Sequence, residues 1–178
     1  MVEPTLSHLR DIVISVLKSQ DYKYENNNGD IFVGITVSLI GRFALIFKFA
    51  ELGDRPFVTL KVRSITDDLK TYRIPADKLD NARAHIWRIC NAPVYAGSVA
   101  IDPVDNEVAF TMRLSPHALT ATPESALAEV NDAIHTSVGM FASALVYMRH
   151  SPGEALSGLL KDLVDGLKDE SKKGEENE

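Results

Sequence analysis

Residues 31–63 read IFVGITVSLIGRFALIFKFAELGDRPFVTLKVR. From Ile31 apolar side chains recur at every second position, with Val33, Ile35, Val37 and Leu39 alternating against Phe32, Gly34, Thr36 and Ser38. After Gly41 the alternation resumes through Phe43, Leu45, Phe47 and Phe49. After Gly53 it continues through Val58, Leu60 and Val62, opposed by Thr59, Lys61 and Arg63. A period of two places each set on one face of a pleated strand. The glycine-containing connections are too short for a crossover, so these three strands are expected to form an antiparallel meander. Gly34, inside the first of them, is expected to mark a bulge or a close approach.

Upstream, Asn26, Asn27, Asn28, Gly29 and Asp30 tolerate left-handed backbone and predict a turn. Before it, Leu6, Leu9, Ile12, Val13, Val16 and Leu17 repeat at helical spacing behind Thr5, a good N-cap, so residues 5–20 are expected to be helical. Downstream, Pro75 suits a first helical turn, and Leu79, Ala82, Ile86, Ile89 and Cys90 form an apolar stripe bordered by Trp87 and ending near Pro93. Two more strands are expected near residues 96–101 and 107–114, joined by a turn over Asp102, Pro103, Val104, Asp105 and Asn106.

Thr122 before Pro123 marks the start of a long helix reaching about Tyr147. Leu127, Val130, Ile134, Val138, Phe141, Leu145 and Met148 follow a near-heptad spacing along it, flanked by Ala126, Ala133, Met140, Ala144 and Tyr147. This apolar surface is wider than one sheet contact needs and points towards a partner. Past Ser151, Pro152 and Gly153, a second amphipathic segment carries Ala155, Leu156, Leu159, Leu160, Leu163, Val164 and Leu167. The chain thus divides into a domain over 1–150, an amphipathic helix over 151–168 and a charged tail over 169–178. The helix could pack on its own domain, cross a dimer, dock on another protein or lie on a membrane. Its acidic polar face, Glu154, Asp162, Asp165 and Asp169 against Lys161 and Lys168, opposes anionic lipid.

With 19 Lys and Arg against 25 Asp and Glu, the net charge of −6 argues against nucleic acid as a partner. Lys61, Arg63, Lys70 and Arg73 form the nearest basic cluster and read as solvated strand and turn charges. Cys90, the single cysteine, allows no intrachain disulfide and reads as a buried thiol in a reducing compartment. No basic segment leads into an apolar run, and no apolar stretch is long enough to span a bilayer, so a cytoplasmic protein with no membrane partner is expected. Asp102, Asp105 and Glu107 offer oxygen ligands without the spacing of a calcium loop. His8, His85, His117, His135 and His150 are scattered. Glycine-rich phosphate loops and nucleophile elbows are absent from the sequence, so no catalytic residue, metal or cofactor is expected. Gly139 and Ser143 place small residues on one helix face, which suits close helix packing.

From Asn81 to Tyr147 the chain carries a family resemblance in the run Ile86, Trp87, Arg88, Ile89, Cys90, Asn91, in Tyr95 to Ile101, in the turn Asp102 to Asn106, in the strand Glu107 to Leu114, and in the long helix after Thr122. The order helix, three strands, helix, two strands, long helix resembles the fold of type III secretion chaperones. It resembles more closely the YbjN family of bacterial sensory transduction regulators. The resemblance implies an α+β fold in which helices cover an antiparallel sheet of about five strands, often as a homodimer. It implies neither a cofactor nor a catalytic residue. The function expected is a non-enzymatic regulatory or chaperone-like protein that binds a segment of a protein partner. Its interface would comprise Val138, Phe141, Leu145 and Met148, then Leu156, Leu160 and Leu163. The alternative is a small-molecule binder or hydrolase with a pocket between sheet and helices, lined by Phe43, Phe47, Phe49 and Trp87.

Overall fold

The alternating apolar runs fold as one antiparallel sheet. A computed structural model describes residues 4–37, 41–65, 97–101 and 106–149, together with residues 77 and 80. The elements run α1 (Leu6–Ser19), β1 (Tyr24–Asn27), β2 (Asp30–Val37), β3 (Gly41–Leu52), β4 (Arg55–Ile65), β5 (Gly97–Ile101), β6 (Val108–Leu114), α2 (Pro116–Ala121) and α3 (Pro123–Arg149). The strands lie in the order β1-β2-β3-β4-β6-β5, each antiparallel to its neighbour. The fold class is α+β.

The sheet has a strand more than the alternation suggests. Asn28 and Gly29 take φ 51° and 87°, the positive values that a tight two-residue hairpin needs at both central positions. Only those two residues turn, and Asn26 and Asn27 belong to β1, paired with Ile31 and Asp30. Gly34 pairs with Ala44 in unbroken register, and a Cβ placed there would meet nothing within 4 Å. It therefore marks neither a bulge nor a close approach. A Cβ at Gly139 likewise meets nothing within 4 Å, so close packing is not what that glycine provides.

Register aligns the buried face across the sheet: Ile31 beside Phe47, Leu45 beside Val62, Phe47 beside Leu60, and Val62 beside Phe110. All six of these side chains are buried. α1 sets Leu9, Val13, Val16 and Leu17 against this face, and α3 adds Val130, Ile134 and Phe141. The Phe141 ring meets the Phe43 ring edge-on, with centroids 6.1 Å apart and planes at 67°. α3 packs on β4, β5 and β6 and also against α1 and α2. That double contact explains its wide apolar surface, since the flanking Ala126, Ala133 and Ala144 are buried within the same chain.

Each of the three described helices starts at a hydroxyl cap. Thr5 Oγ1 accepts from the His8 N–H at 3.2 Å, Ser115 Oγ from the Ala118 N–H at 3.2 Å, and Thr122 Oγ1 from the Ser125 N–H at 3.1 Å. Loss of such a cap leaves a terminal amide without its partner. Thr122→Ala is expected to lower unfolding free energy by about 1 kcal/mol, read as a shift of the urea midpoint at constant slope. An unmoved midpoint would show that α3 does not depend on this cap.

No helix among the described residues is long and apolar enough to cross a membrane. The stripe from Leu79 to Cys90, the turn residues Asp102 to Asp105 and the segment 151–178 lie outside the described residues.

Candidate functional site

The interface residues expected from sequence separate into three groups. Val138 and Phe141, at 8% and 0% exposure, belong to the core of the chain itself. Their burial is satisfied by the sheet, so at these two positions the heptad-like stripe is a sheet contact. Leu145 and Met148 fall on the last turns of α3. Leu156, Leu160 and Leu163 lie outside the described residues. The aromatic pocket proposed as an alternative fares similarly, because Phe43 and Phe47 are buried core members and Phe49 packs against the same cluster. The Arg10 guanidinium covers the Phe49 ring at 5.3 Å. Trp87 is outside the described residues.

What the structure brings together instead is a groove between α1 and the corner where α2 meets α3. Its volume is about 490 Å³. Ile12 and Val16 form one wall, Leu119 the floor, and Ala126 and Leu127 the other wall, with His8 and Glu124 also lining it. α1 supplies its wall because its helical period leaves Ile12 half-buried beside the fully buried Leu9 and Val13. α2 creates the opposite rim. Its six residues are held by Ser115 at one end, whose N–H donates to Glu129 Oε1 on α3.

Three of the hydroxyls around this groove, those of Ser19, Thr120 and Thr122, are engaged with helix backbone. Ser19 Oγ donates to Val16 O at 2.8 Å, Thr120 Oγ1 donates to Pro116 O at 2.9 Å, and Thr122 Oγ1 holds the Ser125 amide. A nucleophile needs a base in hydrogen-bond reach, and the Ser19 and Thr120 hydroxyls donate to backbone carbonyls instead. The buried Ser137 donates to Met112 Sδ at 3.7 Å, while His8, His117 and His135 are exposed. Among the described residues no three of His, Cys, Asp and Glu gather to hold a metal ion. The groove therefore offers mainly apolar contact, with Ser15, His8 and Glu124 as polar side chains in its lining.

The other face of the sheet is mixed. Glu107, weighed above as an oxygen ligand, instead lies 2.7 Å from Arg63 Nε and 3.4 Å from Lys61 Nζ, with its side chain 11% exposed. Two of the four cations in the basic cluster thereby share one carboxylate. Arg113 covers the Phe57 ring at 4.9 Å on the same face. Sequence reasoning missed the groove because α2 is too short for periodicity to reveal. The signal that could have found it is Ser115-Pro116, which repeats the cap-and-proline pattern of Thr122-Pro123.

Comparison with protein-family models and with curated proteins finds no match to this chain.

Proposed function

We propose that the protein is a non-enzymatic regulatory or chaperone-like module that holds an apolar segment of a protein partner in the groove between α1, α2 and α3. The observation that carries this reading is a groove of about 490 Å³ between α1, α2 and α3 whose exposed lining is mainly apolar. A helical segment with anchors three and four residues apart fits such a surface, in the mode where apolar side chains supply affinity and no reactive group is needed. The resemblance of the element order read from sequence to the YbjN family and to type III secretion chaperones points the same way. A small-molecule role would need several convergent polar groups free to orient a ligand.

The test uses a display library of random helical-length peptides, selected on the full chain and then measured against variants. Selected peptides are expected to share apolar residues at i and i+3 or i+4. Leu127→Glu and Ile12→Glu, both at half-buried positions on the groove walls, are expected to weaken them at least about tenfold, the equivalent of roughly 1.4 kcal/mol. Far-UV circular dichroism checks that each variant keeps its fold. Peptides that bind parent and variants equally would move the site elsewhere, and a selection that yields none would remove the proposal.

A further inference from the structure

The turn that joins β1 to β2 is Asn28-Gly29, and Asn28 is the chain's only asparagine followed by glycine. An asparagine loses its side-chain nitrogen as ammonia when the next backbone nitrogen closes a ring on Cγ. Glycine in that place has no Cβ to crowd the closure. The fold leaves both reacting groups open. Asn28 is exposed, within reach of solvent hydroxide and water. The ladder bonds of a two-residue hairpin run between the flanking residues, here Asn27 and Asp30, so the Gly29 N–H is no part of them.

We propose that Asn28 is a site of spontaneous deamidation and that its isoaspartyl product releases β1 from the sheet. The Gly29 amide gives its proton to hydroxide, and its nitrogen bonds to Asn28 Cγ. The Cγ–Nδ2 bond breaks, and the leaving nitrogen takes a proton from water and departs as ammonia. Water then opens the resulting succinimide at either of its carbonyls. Opening at Cγ yields aspartate with the backbone unchanged, and Asp-Gly suits the same tight turn. Opening at the backbone carbonyl carries the chain through Cβ and Cγ as isoaspartate, one backbone atom longer. A turn lengthened in this way no longer sets Asn27 against Asp30, and the register of a hairpin is fixed by its turn. β1 has few other holds, because it lies at the rim of the sheet with Glu25, Asn26 and Asn27 exposed. Its release uncovers the outward N–H and C=O groups of Asp30 and Phe32. None of these steps involves the α1–α2–α3 groove.

For the test, the full chain is aged at mildly alkaline pH, given a pulse of deuterium and digested. Aspartyl and isoaspartyl fragments across β1 and β2 are separated by retention and identified with a protein isoaspartyl methyltransferase. Asn28→Gly is the control, since Gly-Gly keeps a tight turn and carries no amide to lose. Gly29 cannot serve, because it sits at φ 87° and a Cβ there would come within 2.8 Å of Arg10 Nη2. The parent is expected to lose its amide at Asn28 ahead of every other asparagine and to give both products. The isoaspartyl fragment is expected to exchange its Asp30 and Phe32 amides at least about tenfold faster than the aspartyl fragment, because unpaired amides need no opening step. The aged Asn28→Gly chain is expected to exchange as the fresh parent does. An amide kept at Asn28 while other asparagines lose theirs would overturn the site. Equal exchange in the two fragments would overturn the release of β1. Fast exchange in the aged control would overturn it too, by assigning the opening to a change elsewhere.

Discussion

Phe141→Ala is expected to lower the unfolding free energy by about 3–5 kcal/mol, the cost of removing a buried phenyl ring and leaving a space that its neighbours fill only in part. Phe141 is fully buried, and its ring supports the edge of Phe43 across the seam between α3 and the sheet. Both ends of that contact sit on regular elements, whose backbones resist moving inward. In a chain of this size the loss corresponds to a fall in Tm of roughly 10 °C. Urea titration provides the measurement, with the slope unchanged if the native state stays compact. The distinction matters because the same residue was a candidate partner anchor on sequence grounds. An anchor on a free surface would leave the midpoint within about 1 kcal/mol of the parent, since surface truncations away from a packed core move stability little.

Gly97→Ala is expected to destabilise by about 1–3 kcal/mol, against the ordinary direction for a glycine in a strand. A Cβ at this position would run into the Phe110 ring and come within 2.8 Å of the Thr111 carbonyl oxygen. Phe110 is buried at 1% exposure and pairs with Val99, so its ring has nowhere to turn, and the carbonyl belongs to the β6 backbone. Gly34 serves as the internal control, because a Cβ there meets nothing. Alanine at 34 removes only the extra freedom of the unfolded glycine and is expected to be neutral or to gain about 0.5–1 kcal/mol. The two substitutions should therefore differ in sign. A gain of stability at both positions would show that β5 does not lie against Phe110 as described.

Much of this was legible from spacing. The alternation in 31–63 gave β2, β3 and β4 with the correct buried face, and Thr5 and Thr122-Pro123 located two helix starts within a residue. β1 was not legible, since Tyr24, Glu25, Asn26 and Asn27 carry no apolar alternation and owe their strand to pairing with β2. Such a strand is imposed by tertiary context, which routinely overrides local preference. α2 was missed for a different reason: six residues span less than two helical turns, too few to show a period. The stripe on α3 was legible, but not that the chain itself buries Val138 and Phe141. A sequence displays that a helix face must be buried but not whether its cover lies in the same chain.

The β1–β2 hairpin bears on how the protein behaves in a crowded solution. β2 carries Ile31, Val33, Ile35 and Val37 in strict alternation, and as an outermost strand it would be a template for end-on polymerisation into cross-β fibres. β1 occupies its first half, from Asp30 to Val33, with only four residues. The outward rim it presents instead bears Glu25, Asn26 and Asn27, all exposed. A short rim with a carboxylate offers an incoming strand few hydrogen bonds and little apolar contact. The hairpin thus acts as an end-stop, and the polarity that hid β1 from the sequence reading is what suits it to that task.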